Sequence, residues 1–301
     1  MIKRILPLFI LASPLLAQEA PEPVKEEHPY KNYTYWDFHP LHAGSNFIGF
    51  APANVTDKGG NLTYMKGNAF VTLLVPISET SYFFPRVEYN AFYINWTKNP
   101  KFNQKYYTYT QFALTFYSIA IEHWRWISRV EYNIDNAHFN NPSQYGLFSA
   151  LLWGAYQVHR KWHFHVGAFG YTGFEGDQVY PIIGADFSPN KYWTFMAIFP
   201  LDYSVQYNFT QELRLSLKVR PLKERFRTGE HEPQPRSVFS YSSTGVELNF
   251  HFEKHLRLEL EAYAGYSFGG NFYIKNKDGH LPLYTDVGGA PYGGASLNFG
   301  F

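Results

Sequence analysis

His163 and His165 are the first candidates for chemistry, because two imidazoles one residue apart project from the same face of an extended strand. Their spacing along the strand, roughly 6–7 Å, suits a metal ion only if a neighbouring strand supplies further ligands. The chain has no cysteine, and the sequence singles out no further ligand. We therefore interpret the pair as polar residues near a strand end, beside Arg160 and Lys161, and predict no metal or cofactor.

Hydrolytic chemistry would need a nucleophile, a histidine and an orienting acid that converge on one face. Serine and histidine are present, but no spacing singles out such a set. Acid–histidine pairs occur at Asp135–His138 and Asp278–His280, in segments that we predict to be loops. Because loops collect such residues without any catalytic role, we predict that the protein is not an enzyme, and a barrel hydrolase is the least favoured alternative.

Charged residues also alternate with apolar ones along several segments. In 213–219, leucine or valine holds every odd position, and Arg214, Ser216 and Lys218 hold the even ones. In a strand these two sets lie on opposite faces. The charged residues that oppose apolar ones in this way are Arg125, Arg129, Glu131, Arg214, Lys218, Glu247, Arg257, Glu259 and Glu261.

The composition indicates where such strands lie. Aromatic residues make up 20% of the chain, yet the mean hydropathy is −0.32. The longest apolar stretch beyond the amino terminus, 69–77, is too short for a transmembrane helix. Abundant aromatics with average hydropathy are typical of a barrel wall with lipid on one face and water on the other. The net charge of +1 argues against binding of nucleic acid.

The amino terminus has the pattern of a secretion signal. Two basic residues precede an apolar run over 5–16, and polar residues follow it. We predict a signal peptide over 1–17 and a flexible periplasmic leader over 18–43, which is polar and rich in proline where it begins. A single transmembrane β-barrel is predicted over 44–301.

The connections between the alternating segments fall into two classes. Short and long connections alternate along the chain. Only the joint at 199–201 breaks this order, because it is tight where a long loop is expected. The predicted long loops are 51–62, 98–105, 134–145, 173–179, 221–238 and 269–291. Short turns on one side and long loops on the other are typical of outer-membrane barrels. We predict an all-β, antiparallel transmembrane β-barrel of about fourteen strands, with twelve as the alternative.

The carboxyl end supports this fold. Phe301, Phe299 and Leu297 fall at alternate positions and share one strand face. The stretch resembles the carboxyl-terminal signal of bacterial outer-membrane β-barrel proteins, which typically end in Phe with apolar residues at alternate positions before it. The resemblance implies that these three residues are the assembly signal for the barrel-assembly machinery, that the protein lies in the outer membrane, and that the last strand pairs with the first.

Charges are costly on a lipid-facing surface, so we predict that the charged residues named above face the interior. They could line a solvated channel and set its selectivity, or they could form ion pairs that fill a narrow lumen, and the sequence leaves both open. We predict a porin-like channel or structural barrel that passes small solutes and contacts outer-membrane lipid. The alternative is a surface adhesin or receptor barrel that uses the long loops.

Overall fold

A computed structural model describes the chain from Pro40 to Phe301, except for residues 58, 99–103, 142–144, 173–177, 231, 255–257 and 277. The predicted signal peptide and most of the predicted leader lie outside the described residues. The described part is built almost entirely from strands, with a short 3₁₀ helix at Asn136–His138. No helix within it has the length and apolarity needed to cross a bilayer.

The alternating segments form the strands of one continuous sheet. The strands are β1 (Leu41–Asn54), β2 (Asn61–Leu73), β3 (Val75–Ser78), β4 (Ser81–Trp96), β5 (Tyr106–Ser118), β6 (Trp124–Asp135), β7 (Gly146–His159), β8 (Trp162–Tyr171), β9 (Gln178–Phe187), β10 (Trp193–Phe199), β11 (Asp202–Asn208), β12 (Leu213–Arg227), β13 (Val238–Lys254), β14 (Leu258–Lys275), β15 (Leu283–Val287) and β16 (Ala290–Gly300). Fourteen of them close into an antiparallel barrel, and the short strands β3 and β15 extend its wall by pairing with β4 and β14. The prediction of fourteen strands is confirmed, and the alternative of twelve is wrong.

Pairing of β1 with β16 closes the barrel. The register runs from His42 opposite Gly300 to Phe50 opposite Tyr292, and the Phe301 amide donates a hydrogen bond of 2.9 Å to the carbonyl of Leu41. β1 begins at Leu41, three residues before the predicted start of the barrel at Gly44. Closure leaves the first and last strands without a free edge, which a barrel in lipid requires.

The start of β1 and the end of β16 lie on the side of the barrel that carries the short connections, which we call the turn end. The opposite side, which carries the long connections, is the loop end. The turn between β7 and β8 and the turn between β3 and β4 are among the short ones, as predicted. The tight joint between β10 and β11 lies at the loop end, also as predicted.

Two strands extend further toward the loop end than the alternation indicates. The sequence predicts loops over 221–238 and 269–291, but β12 continues to Arg227 and β14 continues to Lys275, so these parts of the prediction are wrong. β12 pairs with β13 over its whole length, whereas its pairing with β11 stops at Val219, opposite Tyr203. Pro221 therefore lies at a strand edge, where a proline without its N–H is tolerated.

The outer face of the barrel carries a belt of exposed hydrophobic side chains. Its members include Phe47, Met65, Val87, Tyr89, Phe112, Leu114, Val130, Leu152, Phe164, Val166, Val205, Leu217, Leu248 and Phe250. Water-soluble monomers rarely expose so large an apolar surface. A belt of this kind is what the hydrocarbon of a bilayer covers in a transmembrane barrel.

Loss of the terminal phenylalanine is expected to impair assembly. The ring of Phe301 lies 6.3 Å from that of Phe299 on the outer face, and its amide joins the seam to Leu41. We expect Phe301→Asp, or deletion of Phe301, to lower the amount of heat-modifiable barrel in the outer membrane several-fold. The matched control is Phe209→Asp, which changes another exposed aromatic residue at the turn end. Normal amounts of folded protein without Phe301 would contradict the prediction.

Candidate channel interior

Ion pairs line the interior face of β12, β13 and β14. The Glu247 carboxylate accepts hydrogen bonds from Arg220, at 2.6 Å from Nε and 2.7 Å from Nη2. The Tyr292 hydroxyl donates a third bond of 3.1 Å to Glu247, whose side chain is 0% exposed. Nearby, Lys218 Nζ lies 3.6 Å from a carboxylate oxygen of Glu261. Arg220 is compensated by a carboxylate on the adjacent strand β13, and Lys218 by one on β14, two strands away.

A second group of ionic contacts lies closer to the turn end. One guanidinium nitrogen of Arg214 is 2.5 Å from His251 Nε2 and 3.8 Å from the Glu253 carboxylate. Nδ1 of His251 lies 3.4 Å from Glu259, which also accepts a 3.0 Å hydrogen bond from Asn298. These contacts join β12, β13, β14 and β16 into one polar surface.

The wall formed by β4, β6 and β7 carries similar pairs. Arg129 Nε lies 2.5 Å from the Glu131 carboxylate, and Ser149 donates a 2.8 Å hydrogen bond to the same group. Arg86 Nε donates a 3.0 Å bond to Glu88, whose side chain is buried. Strand alternation places Arg125 on the same face of β6 as Arg129, and Arg257 lies outside the described residues.

The two histidines that the sequence singled out share one carboxylate. His163 Nδ1 and His165 Nε2 each lie 2.8 Å from an oxygen of Asp186, and all three side chains are 1% exposed. The Trp153 indole donates a 3.0 Å bond to His165 Nδ1, which assigns the proton of His165 to Nε2. Asp186 lies directly opposite His163 in the register of β8 and β9, and only that register, which the sequence does not specify, could have identified it. Among the described residues, no group of three or more potential ligands is placed to hold a metal ion.

The acid–histidine pair at the loop end has a structural role. Asp135 Oδ1 accepts a 2.9 Å bond from the amide of Ala137 and thereby caps the 3₁₀ helix. Its other oxygen lies 3.1 Å from His138 Nδ1, and the His138 ring stacks on Tyr145 with centroids 3.8 Å apart. Both side chains thus make contacts within the protein that fix the start of β7 and the 3₁₀ helix before it.

Aromatic side chains fill the loop-end half of the interior. We call this cluster the aromatic plug; it consists of Phe50, Tyr64, Phe92, Tyr107, Phe226, Phe239, Tyr241, Phe272 and Tyr292. Phe226 on β12 stacks on Phe92 of β4 with ring centroids 4.2 Å apart. Phe239 on β13 stacks on Tyr107 of β5 at 6.0 Å. Because several strands separate these partners along the wall, the contacts cross the lumen, and the loop-end parts of β12 and β13 fold inward.

An ion pair also crosses the lumen next to the aromatic plug. Lys66 Nζ on β2 lies 3.1 Å from both carboxylate oxygens of Glu224 on β12. A cavity of about 180 Å³ lies beside this pair. It is lined by Asn46, Ile48, Phe50, Tyr64, Lys66, Asn68, Arg220, Pro221, Leu222, Lys223, Glu224, Tyr241 and Tyr263. A polar cavity of this size can hold several water molecules or a small polar solute.

The connection between β12 and β13 is held against its neighbours. Glu232 accepts a 2.6 Å bond from the amide of Gln104, and the Tyr145 hydroxyl donates a 3.0 Å bond to Glu230. Burial, followed by this bond to a carboxylate, raises the pKa of Tyr145, so its phenol remains a donor. Thr228 and Glu232, which lie within the predicted long loop 221–238, are buried.

Uncharacterized proteins of Chlamydia align with much of the chain, and no protein-family model matches it. An uncharacterized protein of Chlamydia pneumoniae is 25% identical over 197 residues, which cover 64% of this chain and 62% of that protein. The chain thus aligns with less than two thirds of the length of that relative. An uncharacterized protein of Chlamydia trachomatis serovar D is 20% identical over 257 residues, which cover 80% of each chain.

The barrel is also similar to a solved structure. The structure of an outer membrane channel from Pseudomonas putida F1 aligns with 88% of this chain and 98% of its own, with a TM-score of 0.51 and 7% sequence identity. The fold is that of a bacterial outer-membrane β-barrel. The predicted fold class is therefore confirmed, and the low identity means that the likeness concerns the fold alone.

Proposed function

We propose that the protein is a porin-like outer-membrane channel for small solutes, held closed in the described arrangement by the aromatic plug. One observation carries the proposal: the turn-end half of the lumen is lined by paired charges, whereas aromatic rings of the inward-folded β12–β13 hairpin fill the loop-end half. The hairpin is joined to the opposite wall by stacked rings and one ion pair. Such contacts can separate without breaking the backbone pairing of the barrel.

The lining favours small polar solutes over ions of one sign. Acidic and basic groups alternate along the interior, as in the Arg220–Glu247 and Lys218–Glu261 pairs. Because each of these four charges lies near an opposite charge, the two pairs add little net field to the lumen. The P. putida barrel of similar fold is named as an outer membrane channel, which supports a transport role for this chain.

Conductance in planar bilayers tests the channel. We expect little current from the native protein and a several-fold larger conductance from the Phe226→Ala, Phe239→Ala double variant, because both changes remove rings from the aromatic plug. The matched control is Phe250→Ala, which removes an exposed outer ring from β13 and leaves the plug intact. If heat-modifiable migration shows that the double variant is folded and it still carries no current, the proposal is overturned.

Labelling of intact cells tests the orientation. We expect an epitope tag inserted between Pro233 and Gln234, in the exposed part of the loop-end connection, to bind antibody on intact cells. The matched insertion between Pro189 and Asn190, at the turn end, should bind antibody only after the outer membrane is opened. The reverse pattern would show that the loop end faces the periplasm.

A further inference from the structure

The barrel wall has a cleft at the loop end. β10 and β11 are short, and β9 pairs with β10 only from Ile183 to Phe187, while β11 pairs with β12 only as far as Val219. Among the described residues, neither 178–182 of β9 nor 220–227 of β12 has a strand partner on the side that faces this gap. Two strand edges therefore face each other across the space beyond the β10–β11 hairpin.

Side chains, and not backbone hydrogen bonds, bridge this cleft. Lys223 of β12 donates a hydrogen bond to the Tyr171 hydroxyl of β8, and its Nζ lies 4.6 Å from the centroid of the same ring. The Arg225 guanidinium lies 3.9 Å from that ring and donates a 3.3 Å bond to the carbonyl of Thr172. Side chains can rearrange far faster than a strand ladder can separate, so the cleft can open without unfolding the wall.

The two sides of the cleft differ in chemistry. The outer rim is apolar, since Val179 is 72% exposed and Ile183 is 66% exposed. The inner side is cationic, and no carboxylate of the described residues is ion-paired with Lys223 or Arg225. The buried Nε of Arg225 has no hydrogen-bond acceptor within the described part of the chain. An apolar rim next to an ammonium and a guanidinium suits a ligand with one alkyl chain and one negative group.

We propose that the cleft binds a single-chain amphipathic anion of the alkyl carboxylate class, which enters from the lipid phase. The alkyl chain lies against Val179 and Ile183, and the carboxylate lies between Lys223 and Arg225, where a guanidinium and an ammonium form strong charge-assisted hydrogen bonds. This site goes beyond the proposed channel function, because its ligand belongs to a different class from the small polar solutes proposed for the lumen. Binding does not require conduction, so failure in dialysis and failure in the conductance assay are distinguishable.

The test is equilibrium dialysis of labelled dodecanoate with the full chain in phosphatidylcholine nanodiscs, with empty nanodiscs subtracted. We expect saturable binding that weakens at least about tenfold, or about 1.4 kcal/mol, in the Lys223→Gln, Arg225→Gln double variant. The matched control is Lys191→Gln, because Lys191 Nζ also lies near an aromatic ring, 5.2 Å from that of Tyr192, but at the turn end. This control should bind as the native chain does.

Competition separates the possible ligands. Acetate and dodecyltrimethylammonium should not displace dodecanoate, because the first lacks the chain and the second has the wrong charge. A second variant, Val179→Asn, keeps both cations and should still weaken binding. It tests the same site if the double variant does not fold. Equal binding by folded cleft variants, or displacement by acetate, would overturn the proposal. Displacement by phosphatidylglycerol in the nanodisc would assign the cleft to a membrane lipid and would also overturn it.

Discussion

Replacement of Leu217 by arginine is expected to destabilise the folded barrel by about 2–4 kcal/mol, the cost of arginine on a lipid-facing site near the bilayer midplane. Leu217 is 53% exposed and lies between Val205 of β11 and Leu248 of β13, which are exposed as well. Its side chain therefore lies within the apolar belt. Urea unfolding in lipid vesicles measures the change in the free energy of unfolding.

Two controls make this experiment specific. Leu217→Ala removes the same side chain without adding charge, and should cost much less than Leu217→Arg. Lys218→Arg places the guanidinium one residue away on the interior face, where Glu261 is its partner, and should be nearly neutral. Alternation alone predicts that Ser216 also tolerates arginine, but Ser216 is buried beside Gln206 and Asn249. Equal losses for Leu217→Arg and Lys218→Arg would mean that the faces of β12 are reversed.

Removal of the Glu247 carboxylate is expected to cost about 3–5 kcal/mol, the usual penalty for breaking a buried ion pair on one side. In Glu247→Ala, Arg220 loses two hydrogen bonds and the Tyr292 hydroxyl loses one. The stranded guanidinium keeps its charge, because arginine does not deprotonate in proteins. The same vesicle unfolding assay measures the loss.

The matched control for Glu247 is Glu122, whose 3.5 Å contact with His123 lies at the protein surface. Glu122→Ala should leave the midpoint of unfolding unchanged, since exposed pairs contribute little. The double variant Glu247→Ala, Arg220→Met should recover part of the loss, because it removes the unpaired charge together with its partner. A stability of Glu247→Ala close to that of the native chain would show that this pair does not hold the wall together.

The wall of the barrel could be predicted from sequence because the pattern that specifies it is local. In β8, for example, Trp162, Phe164 and Val166 alternate with His163 and His165, which indicates a wall strand with one face in lipid and one in the lumen. The structure has this strand from Trp162 to Tyr171. The loop-end part of β12 breaks this rule. Lys223 and Arg225 occupy its outward face, but the strand is folded inward, and that face meets Tyr171 instead of lipid. Because apolar lipid-facing residues do not alternate with polar ones there, the loop-end part of β12 has the composition of a loop.

Partners inside the barrel could not be predicted for a different reason. Alternation assigns Glu247 to one face of its strand. It does not reveal that Arg220 lies on the same face of the neighbouring strand, close enough to Glu247 to form an ion pair. The pairing of Lys66 with Glu224 depends on strands that meet only across the lumen. Both contacts depend on register and curvature, which arise from the closed barrel as a whole.

The aromatic plug is made of wall strands, which has a thermodynamic consequence. A separate plug domain could leave the lumen without altering the wall, but here Phe226 and Lys223 belong to the same strand. An outward swing of the β12–β13 hairpin would withdraw Phe226 from Phe92 and carry the edge of β12 back toward β9. In the proposed channel, an open lumen and an open cleft would thus be alternative states of one hairpin. By linkage, a ligand that prefers the cleft stabilises the shut lumen, and a solute that prefers the open lumen weakens binding at the cleft by the same factor.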